Sequence, residues 1–454
     1  MLRLHLVDKV AAPSLTFLKR DIYAVAAVFG GFWDLALADA KDSFCRTGVL
    51  LTGANGFLGK VLLGFLFERY PEFQKLYILI RPRQGSTARD RFESEVLSSP
   101  SLQGIVAKRG RDFLNSKIQL LEGDLAQPLC GLTEECIEVL TGKVGVVINC
   151  AGLVEFFPPV DESFRSNVDG VDHIVAVTRK LGAKLLHVST CFVCGEADGL
   201  IEETEPIAGF YPRRKGATDH SFDHRAEIAY VRDRVAQIRV SSGERRTREI
   251  NRRLVDLGRQ RAQRWGWVNT YTYAKSIGEQ IIATEPGLEY AIIRPAIVEC
   301  AVEFPFPGWV EGGRTAAPLI LMAMAGMRHW TVREDSPLEV VPVDLVAASI
   351  LAVSALLLAG MHKPVYQVAT AHANPVEIGF LSACCTANQR SGPGVREWAA
   401  CGSFRCAMPG NGGRDYSGNC AARKALCRGC GSFFPARACP AIALWLKPPR
   451  PSAR

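Results

Sequence analysis

Two tyrosines and one lysine stand close together in the stretch VNTYTYAKS, residues 268–276. On a helix, residues four apart share a face, while residues two apart point to nearly opposite sides. Tyr271 and Lys275 can therefore meet, and Tyr273 cannot join them. A free phenol titrates near ~10 and is a poor acid or base at neutral pH. An ammonium group beside it favours the phenolate and moves its titration toward the working range. Two aromatic residues packing a core helix would leave the same local pattern. The pair gains meaning as an acid or base only with a cofactor site elsewhere in the chain.

Such a site stands near the amino end. TGANGFLGKVLL, Thr52 to Leu63, carries glycines at 53, 56 and 59, follows the apolar run VLL and opens a helical pattern. Gly53 permits the tight turn, Gly56 lets backbone approach a pyrophosphate, and Gly59 lets helix pack on strand. The phosphates would meet the positive end of that helix. The next apolar run, LYILI, ends in RPRQG. An NAD site wants an acidic residue there, whereas a cationic group accommodates the 2′-phosphate of NADP. Arg81 and Arg83 hold the place, so NADPH is the expected cofactor. GDL, Gly123 to Leu125, sets Asp124 and Leu125 against the adenine. NCAG, Asn149 to Gly152, brings backbone beside the nicotinamide ribose. Either motif by itself is also an ordinary strand end.

The elements that position these groups alternate regularly. The runs GVLLTGA, LYILI, IQLLEGDL, VGVVINCAG and KLLHVST are separated by longer amphipathic stretches. The series resumes at YAIIRPAIV (290–298), VVPVD (340–344) and VYQVAT (365–370). Nearly continuous apolar runs between helices indicate a parallel sheet covered on both faces, a doubly wound α/β fold of Rossmann type. The expected domain spans residues 47–380, preceded by a helical extension over 1–46.

A chain of 454 residues, 48% hydrophobic and 22% charged, is long enough for two or three domains and reads as a soluble globular protein. Its net charge of +8 is local. From residue 381 onward 11 Lys and Arg face 2 Asp and Glu, and the rest of the chain carries −1. The basicity belongs to the tail, so no nucleic-acid partner is implied. Seven of the 15 cysteines (Cys45, Cys130, Cys136, Cys150, Cys191, Cys194 and Cys300) are scattered through the body and read as buried free thiols of a reducing compartment. The apolar run Leu345 to Gly360 is too short for a membrane span and reads as a buried helix. Lys19 and Arg20 precede YAVAAVFGGFWDLALADA, which weakly mimics a signal peptide, but Asp34 interrupts it. A helix packing on the main domain of a cytoplasmic protein is expected, with a peripheral membrane contact as its alternative.

Residues 220–265 interrupt the alternation with 12 Arg against 6 Asp and Glu. Ile228, Val231, Val235 and Ile238, then Leu254 and Leu257, suggest a basic helical hairpin broken near SSG. It reads either as a solvated charged face or as a docking surface for a phosphate-bearing substrate or an acidic carrier protein. The tail, 381–454, has no sustained apolar period. Cys420, Cys427, Cys430 and Cys439 are too irregularly spaced for a zinc site, and no metal is expected. Its Arg, Ala, Gly, Pro and Cys content matches GC-rich coding DNA read out of frame, so a displaced or truncated C-terminal region is expected, with natural disorder as the competing reading.

Taken together, TGANGFLGKVLL, GDL, NCAG, VSTCFVCG, Tyr271-x3-Lys275 and Arg294–Pro295 resemble the extended short-chain dehydrogenase/reductase family. HVST, NTYTYAKSIGEQ and RPAIVECAVEFPFPGWVEG resemble its fatty acyl-CoA reductases, the alcohol-forming or male sterility group, with the bacterial long-chain enzymes nearest. The resemblance covers about residues 45–380. It implies that Tyr271 is the acid, that Lys275 lowers its pKa and holds the nicotinamide ribose, and that Thr190 shares the substrate oxygen. Asn167 would support Lys275 through water or cap a helix. The implied cofactor-binding residues are Thr52, Gly53, Asn55, Gly56, Phe57, Leu58, Gly59, Arg81, Arg83, Asp124, Leu125, Cys150, Ala151, Gly152 and Lys275. The implied reaction reduces a fatty acyl-CoA, or an acyl carrier protein thioester, to aldehyde and on to primary alcohol. Epimerases and hydroxysteroid dehydrogenases share the scaffold, and an NADPH sensor or an inactive truncated reductase are the remaining alternatives. The chain departs from the family where Cys191 and Cys194 replace small or polar residues, and where a helical C-terminal domain gives way to the tail.

Overall fold

The computed structural model describes residues 43–312, 333–371 and 377–379, apart from residues 198, 205, 217 and 243–246. The expected helix within residues 1–42 and the tail from residue 381 lie outside the described residues. The chain divides into two compact units, one of residues 1–298 with 340–373 and one of residues 299–339 with 374–454.

The first unit is built on a seven-stranded sheet. Its strands are β1 (Gly48–Thr52), β2 (Leu76–Ile80), β3 (Ile118–Glu122), β4 (Val144–Asn149), β5 (Lys184–Val188), β6 (Tyr290–Pro295) and β7 (Val365–Val368). They pair in parallel in the order β3-β2-β1-β4-β5-β6-β7. The chain runs outward from β1 on one side and returns to start again at β4, so a crevice opens at the carboxyl ends of β1 and β4. Central β1 and β2 are buried at every residue, which is why GVLLT and LYILI are unbroken apolar runs. β3, at one edge, exposes Gln119 and Glu122. The run VVPVD gives only a short strand, Val340–Pro342, outside this sheet, because Val343 and Asp344 already begin the following helix.

The longer helices are α1 (Phe57–Arg69), α2 (Pro100–Arg109), α3 (Glu134–Leu140), α4 (Gly170–Leu181), α5 (His224–Ser242), α6 (Thr247–Trp265), α7 (Thr270–Thr284) and α8 (Val343–Ala359). α1 and α8 pack against each other over the sheet. That explains their apolar character all round: a helix covered on two sides has no wet face to mark with charge. No helix among the described residues is long and apolar enough to cross a membrane. The basic insertion is the antiparallel pair α5 and α6, which packs on α7.

The second unit holds the loop that carries FPFPGWVEG. Ala301 N–H donates to Trp309 O at 2.9 Å and Gly308 N–H to Ala301 O at 2.8 Å, closing a tight turn over the buried Trp309.

Candidate active site

Asn269 starts α7. Its side chain accepts from Thr272 N–H at 2.9 Å, satisfying one of the donors that every helix start leaves open. Thr270 N–H donates to Phe156 O at 3.1 Å and fixes where the helix enters. Tyr271 thus sits in the first turn, near the positive helix end, a place that favours a phenolate. Burial nonetheless raises its pKa, the nearby Cys191 adds to the rise, and a hydrogen bond with the Thr190 hydroxyl works the other way. Thr190, just past β5, also has its hydroxyl 3.4 Å from Pro295 O and accepts from Phe192 N–H at 3.3 Å.

Lys275 lies one turn further along α7 and is buried. Its Nζ donates to Val188 O at 2.6 Å and lies 3.2 Å from His187 Nε2. Neither partner is Tyr271, so the ammonium is anchored at the end of β5 rather than on the phenol. Burial lowers its pKa from 10.5 to about 8, against the pull of Glu279 and Cys150. Glu279, a further turn on, is bound by Arg294 of β6 through Nε at 3.0 Å and a second nitrogen at 2.5 Å.

Tyr273 takes the opposite side of the helix, as the spacing requires. It is fully buried and its hydroxyl donates to Glu227 Oε1 at 2.5 Å. Arg261 Nε donates to the same oxygen at 2.8 Å and its terminal nitrogen to Oε2 at 2.5 Å. Glu227 belongs to α5 and Arg261 to α6, so Tyr273 fastens the insertion to the helix that carries Tyr271. Further arginines of α5 reach the rest of the domain: Arg225 pairs with Asp172, Arg232 with Asp169 and Arg239 with Asp161. These three arginines therefore pair with carboxylates of the domain, in the segment read either as a solvated charged face or as a docking surface.

The glycine loop follows its sequence pattern. Gly53 has φ +73°, and a Cβ there would fall 2.7 Å from Ala151 N at the end of β4. A Cβ on Gly59 would stand 2.1 Å from Gly53 O, so only glycine lets α1 seat on the loop. Gly56 meets nothing nearer than Gly53 O at 3.3 Å, leaving room above the amino end of α1. Phe57 and Leu58 form the first turn of α1, and Asn55 Nδ2 donates to Glu95 Oε2 at 2.8 Å. Arg81 and Arg83 follow β2 with exposed guanidinium groups, 3.8 Å from Asp124 and 3.5 Å from Glu95. Asp124 accepts from Ala126 N–H, and Leu125 O is held by His173 Nδ1 at 2.7 Å. Cys150, Ala151 and Gly152 continue from β4. A Cβ on Gly152 would lie 2.8 Å from Asn167 Oδ1 and 3.9 Å from Lys275 Nζ, so this turn runs directly past the lysine. Asn167 itself is tied to Leu153, accepting from its N–H at 3.1 Å and donating to its carbonyl at 3.0 Å.

These residues fit a dinucleotide. The loop, the two arginines, Gly152 and Lys275 all gather at the carboxyl ends of β1, β2, β4 and β5. Ser189 Oγ, between Val188 and Thr190, is buried with no hydrogen-bond partner among the described residues, an open valence at the same edge. Sequence reasoning missed His187, Asn149, Glu95 and Arg91. Arg91 is buried, binds Glu95 twice and reaches Arg81 O, so it braces the arginine-bearing turn. Of the body cysteines, all free, Cys130 and Cys300 are buried and the other five are half-buried.

A dinucleotide crevice with a Tyr/Lys/Thr group at its edge defines an oxidoreductase of the extended short-chain dehydrogenase/reductase class. The profile of an NAD-binding family described as "Male sterility protein" matches residues 51–350. Probable fatty acyl-CoA reductase 5 of Arabidopsis thaliana is 30% identical over 73% of this chain and 68% of its own length. The alcohol-forming fatty acyl-CoA reductase of Simmondsia chinensis is 28% identical over the same shares. Among solved structures, the terminal R domain of the myxalamid PKS-NRPS pathway superposes with a TM-score of 0.52 at 21% identity, covering 78% of this chain and 75% of that one. The chain belongs to the male sterility, or fatty acyl-CoA reductase, family, and its cofactor is a nicotinamide dinucleotide.

Proposed function

We propose that the chain reduces long-chain fatty acyl-CoA thioesters with NADPH, giving the fatty aldehyde and then the primary alcohol. One observation carries the reading: Tyr271 and the buried Lys275 stand one turn apart on α7, with the Thr190 hydroxyl just past the end of β5 where Lys275 is anchored, on a chain whose relatives are named fatty acyl-CoA reductases. The bound cofactor supplies hydride to the thioester carbonyl. Tyr271 and Thr190 donate to the oxygen as negative charge develops there, and the phenol proton follows. Collapse of the resulting hemithioacetal expels the thiolate and leaves an aldehyde, which a second NADPH, taken up after the oxidised cofactor leaves, would reduce to the alcohol at the same groups. Lys275, anchored on Val188 O, faces the turn Cys150 to Gly152 and holds the nicotinamide ribose. Arg81 and Arg83 take the 2′-phosphate, as exposed cations at the end of β2 are suited to do.

The rim of the site suits an acyl chain. Phe156 packs on Tyr271 with ring centroids 6.5 Å apart, and Val154, Phe156, Phe157 and Val268 are large apolar side chains left exposed in the two segments around it. An acyl carrier protein thioester presents the same reacting group. The test is to incubate the purified full chain with NADPH and a long-chain acyl-CoA and to identify products by gas chromatography. Fatty aldehyde or alcohol is expected. No product from a folded chain that binds NADPH would overturn the reading.

A further inference from the structure

Behind Lys275 runs a buried chain of polar side chains that leads to the glycine loop. Thr52 Oγ1 lies 2.6 Å from Asn149 Oδ1, and Asn149 Nδ2 lies 3.1 Å from His187 Nδ1. His187 Nε2 lies 3.2 Å from Lys275 Nζ. Ala151 N–H closes the far end on Thr52 Oγ1 at 3.2 Å. Thr52, Asn149 and His187 are all fully buried, and they come from the ends of three adjacent strands, β1, β4 and β5. Buried polar groups at this depth cost free energy unless each donor and acceptor is matched, so the proton positions along the chain are constrained together.

Two arrangements match the bonds that run from Asn149 through His187 to Lys275. With the Asn149 amide as it stands, Nδ2–H donates to His187 Nδ1, so the ring proton is on Nε2 and is donated to the lysine. That requires an uncharged Lys275, which accepts from His187 and still donates to Val188 O. In the other arrangement Lys275 is an ammonium and donates to Nε2. The ring proton is then on Nδ1, and the Asn149 amide turns by half a revolution to accept it with its oxygen, while its nitrogen donates to Thr52 Oγ1. The bonds from Asn149 through His187 to Lys275 are matched in both; in the second the Thr52 hydroxyl accepts from Asn149 and Ala151 and gives up its own donor bond.

We propose that His187 is a positioning residue for Lys275, exchanging tautomer with the Asn149 amide so that the lysine stays held in both its charge states. The ring is a neutral two-way connector and never an imidazolium. The surroundings agree. Burial, and then Lys275, hold the His187 pKa well below 6.5, while Lys275 titrates at about 8, so the lysine is the member of the pair that changes charge. The other groups facing Lys275 are Glu279, neutralised by Arg294, and the Cys150 thiol, whose pKa burial raises to about 12. The thiol therefore stays uncharged near pH 8. A fixed hydrogen-bond partner, such as a backbone carbonyl, can satisfy only the donating lysine; a histidine can satisfy both. In turnover this keeps Lys275 in place when its proton is drawn toward Tyr271, a use that rests on the reductase reading.

The test is histidine-selective 15N NMR of the full chain, titrated from pH 6 to 10 without cofactor or substrate. The nitrogen shifts of His187 are assigned with His187→Gln. The expected result is a neutral ring throughout, with its proton on Nδ1 below a midpoint near pH 8 and on Nε2 above it, and no such change in Lys275→Met. A single tautomer across the range, or an imidazolium anywhere in it, overturns the inference. The readout needs no catalysis. A tautomer change in a chain that makes no aldehyde or alcohol would count against the proposed function alone, and product without the change would count against this inference alone.

Discussion

Tyr271 and Tyr273 differ in what their hydroxyls can lose. Tyr271 has Thr190 as its neighbour at the end of β5, whereas Tyr273 holds its proton in a hydrogen bond to Glu227 inside the core. Tyr271→Phe is expected to lower turnover by roughly 10²- to 10⁴-fold, the span of a positioned acid, while leaving NADPH affinity within a small factor. Tyr273→Phe removes one bond from a carboxylate that Arg261 still holds, so the loss is stability, about 1–3 kcal/mol, with activity kept at low temperature. Steady-state rates and urea unfolding of the two variants separate the cases. Equal loss of activity in both would sink the assignment of faces. Lys275 adds a pH dependence. Its pKa is lowered, so the charge is fully present below about pH 8 and is lost above it. Because the charged form is the one that favours phenolate, kcat/KM should fall as pH rises through about 8. A rate still level at pH 9.5 would exclude Lys275 as the controlling charge.

Among the elements, the junction of α1 with the glycine loop is the least forgiving. A methyl group on Gly59 would meet a backbone carbonyl at 2.1 Å, and no side chain is there to yield. Gly59→Ala should therefore abolish cofactor binding or folding, whereas Gly142→Ala, at a turn open to solvent, should cost no more than its strained φ. Cofactor titration by fluorescence and circular dichroism of both variants tests this, and wild-type affinity in Gly59→Ala would refute it. This junction was legible in the sequence, because a strand, three spaced glycines and a helix are a local pattern. So were the strand ends and the split between Tyr271 and Tyr273. The ties of Lys275 to His187 and of Tyr273 to Glu227 were not, since they join residues 88 and 46 positions apart and leave no periodic trace. The insertion shows the same limit. Its helices could be read from the apolar spacing, but composition records how many arginines it has and not which carboxylates they face. VVPVD misled for a related reason: a short apolar run cannot tell a strand from the first turn of a buried helix.

For the whole molecule, cofactor choice becomes a matter of stability. A ligand that binds the folded chain alone stabilises it by about 2.7 kcal/mol at a hundredfold excess over its Kd. For a unit of this size that corresponds to a rise in Tm of roughly 4 °C. NADPH and NADH differ only in the 2′-phosphate. Any difference in Tm at equal concentration therefore reports on the groups that meet that phosphate. Arg81 and Arg83 are more than half exposed, and each has a carboxylate at 3.5–3.8 Å, Asp124 for the first and Glu95 for the second. Pairs that loose and that wet contribute little to the fold, so exchanging the carboxylate for a phosphate dianion costs little and adds a charge-assisted bond. NADPH is thus expected to raise Tm measurably more than NADH, and Arg81→Ala to bring the two shifts together without lowering the Tm of the free chain. Thermal unfolding followed by intrinsic fluorescence decides it. Equal shifts from both cofactors in the wild-type chain would mean that these arginines do not read the phosphate.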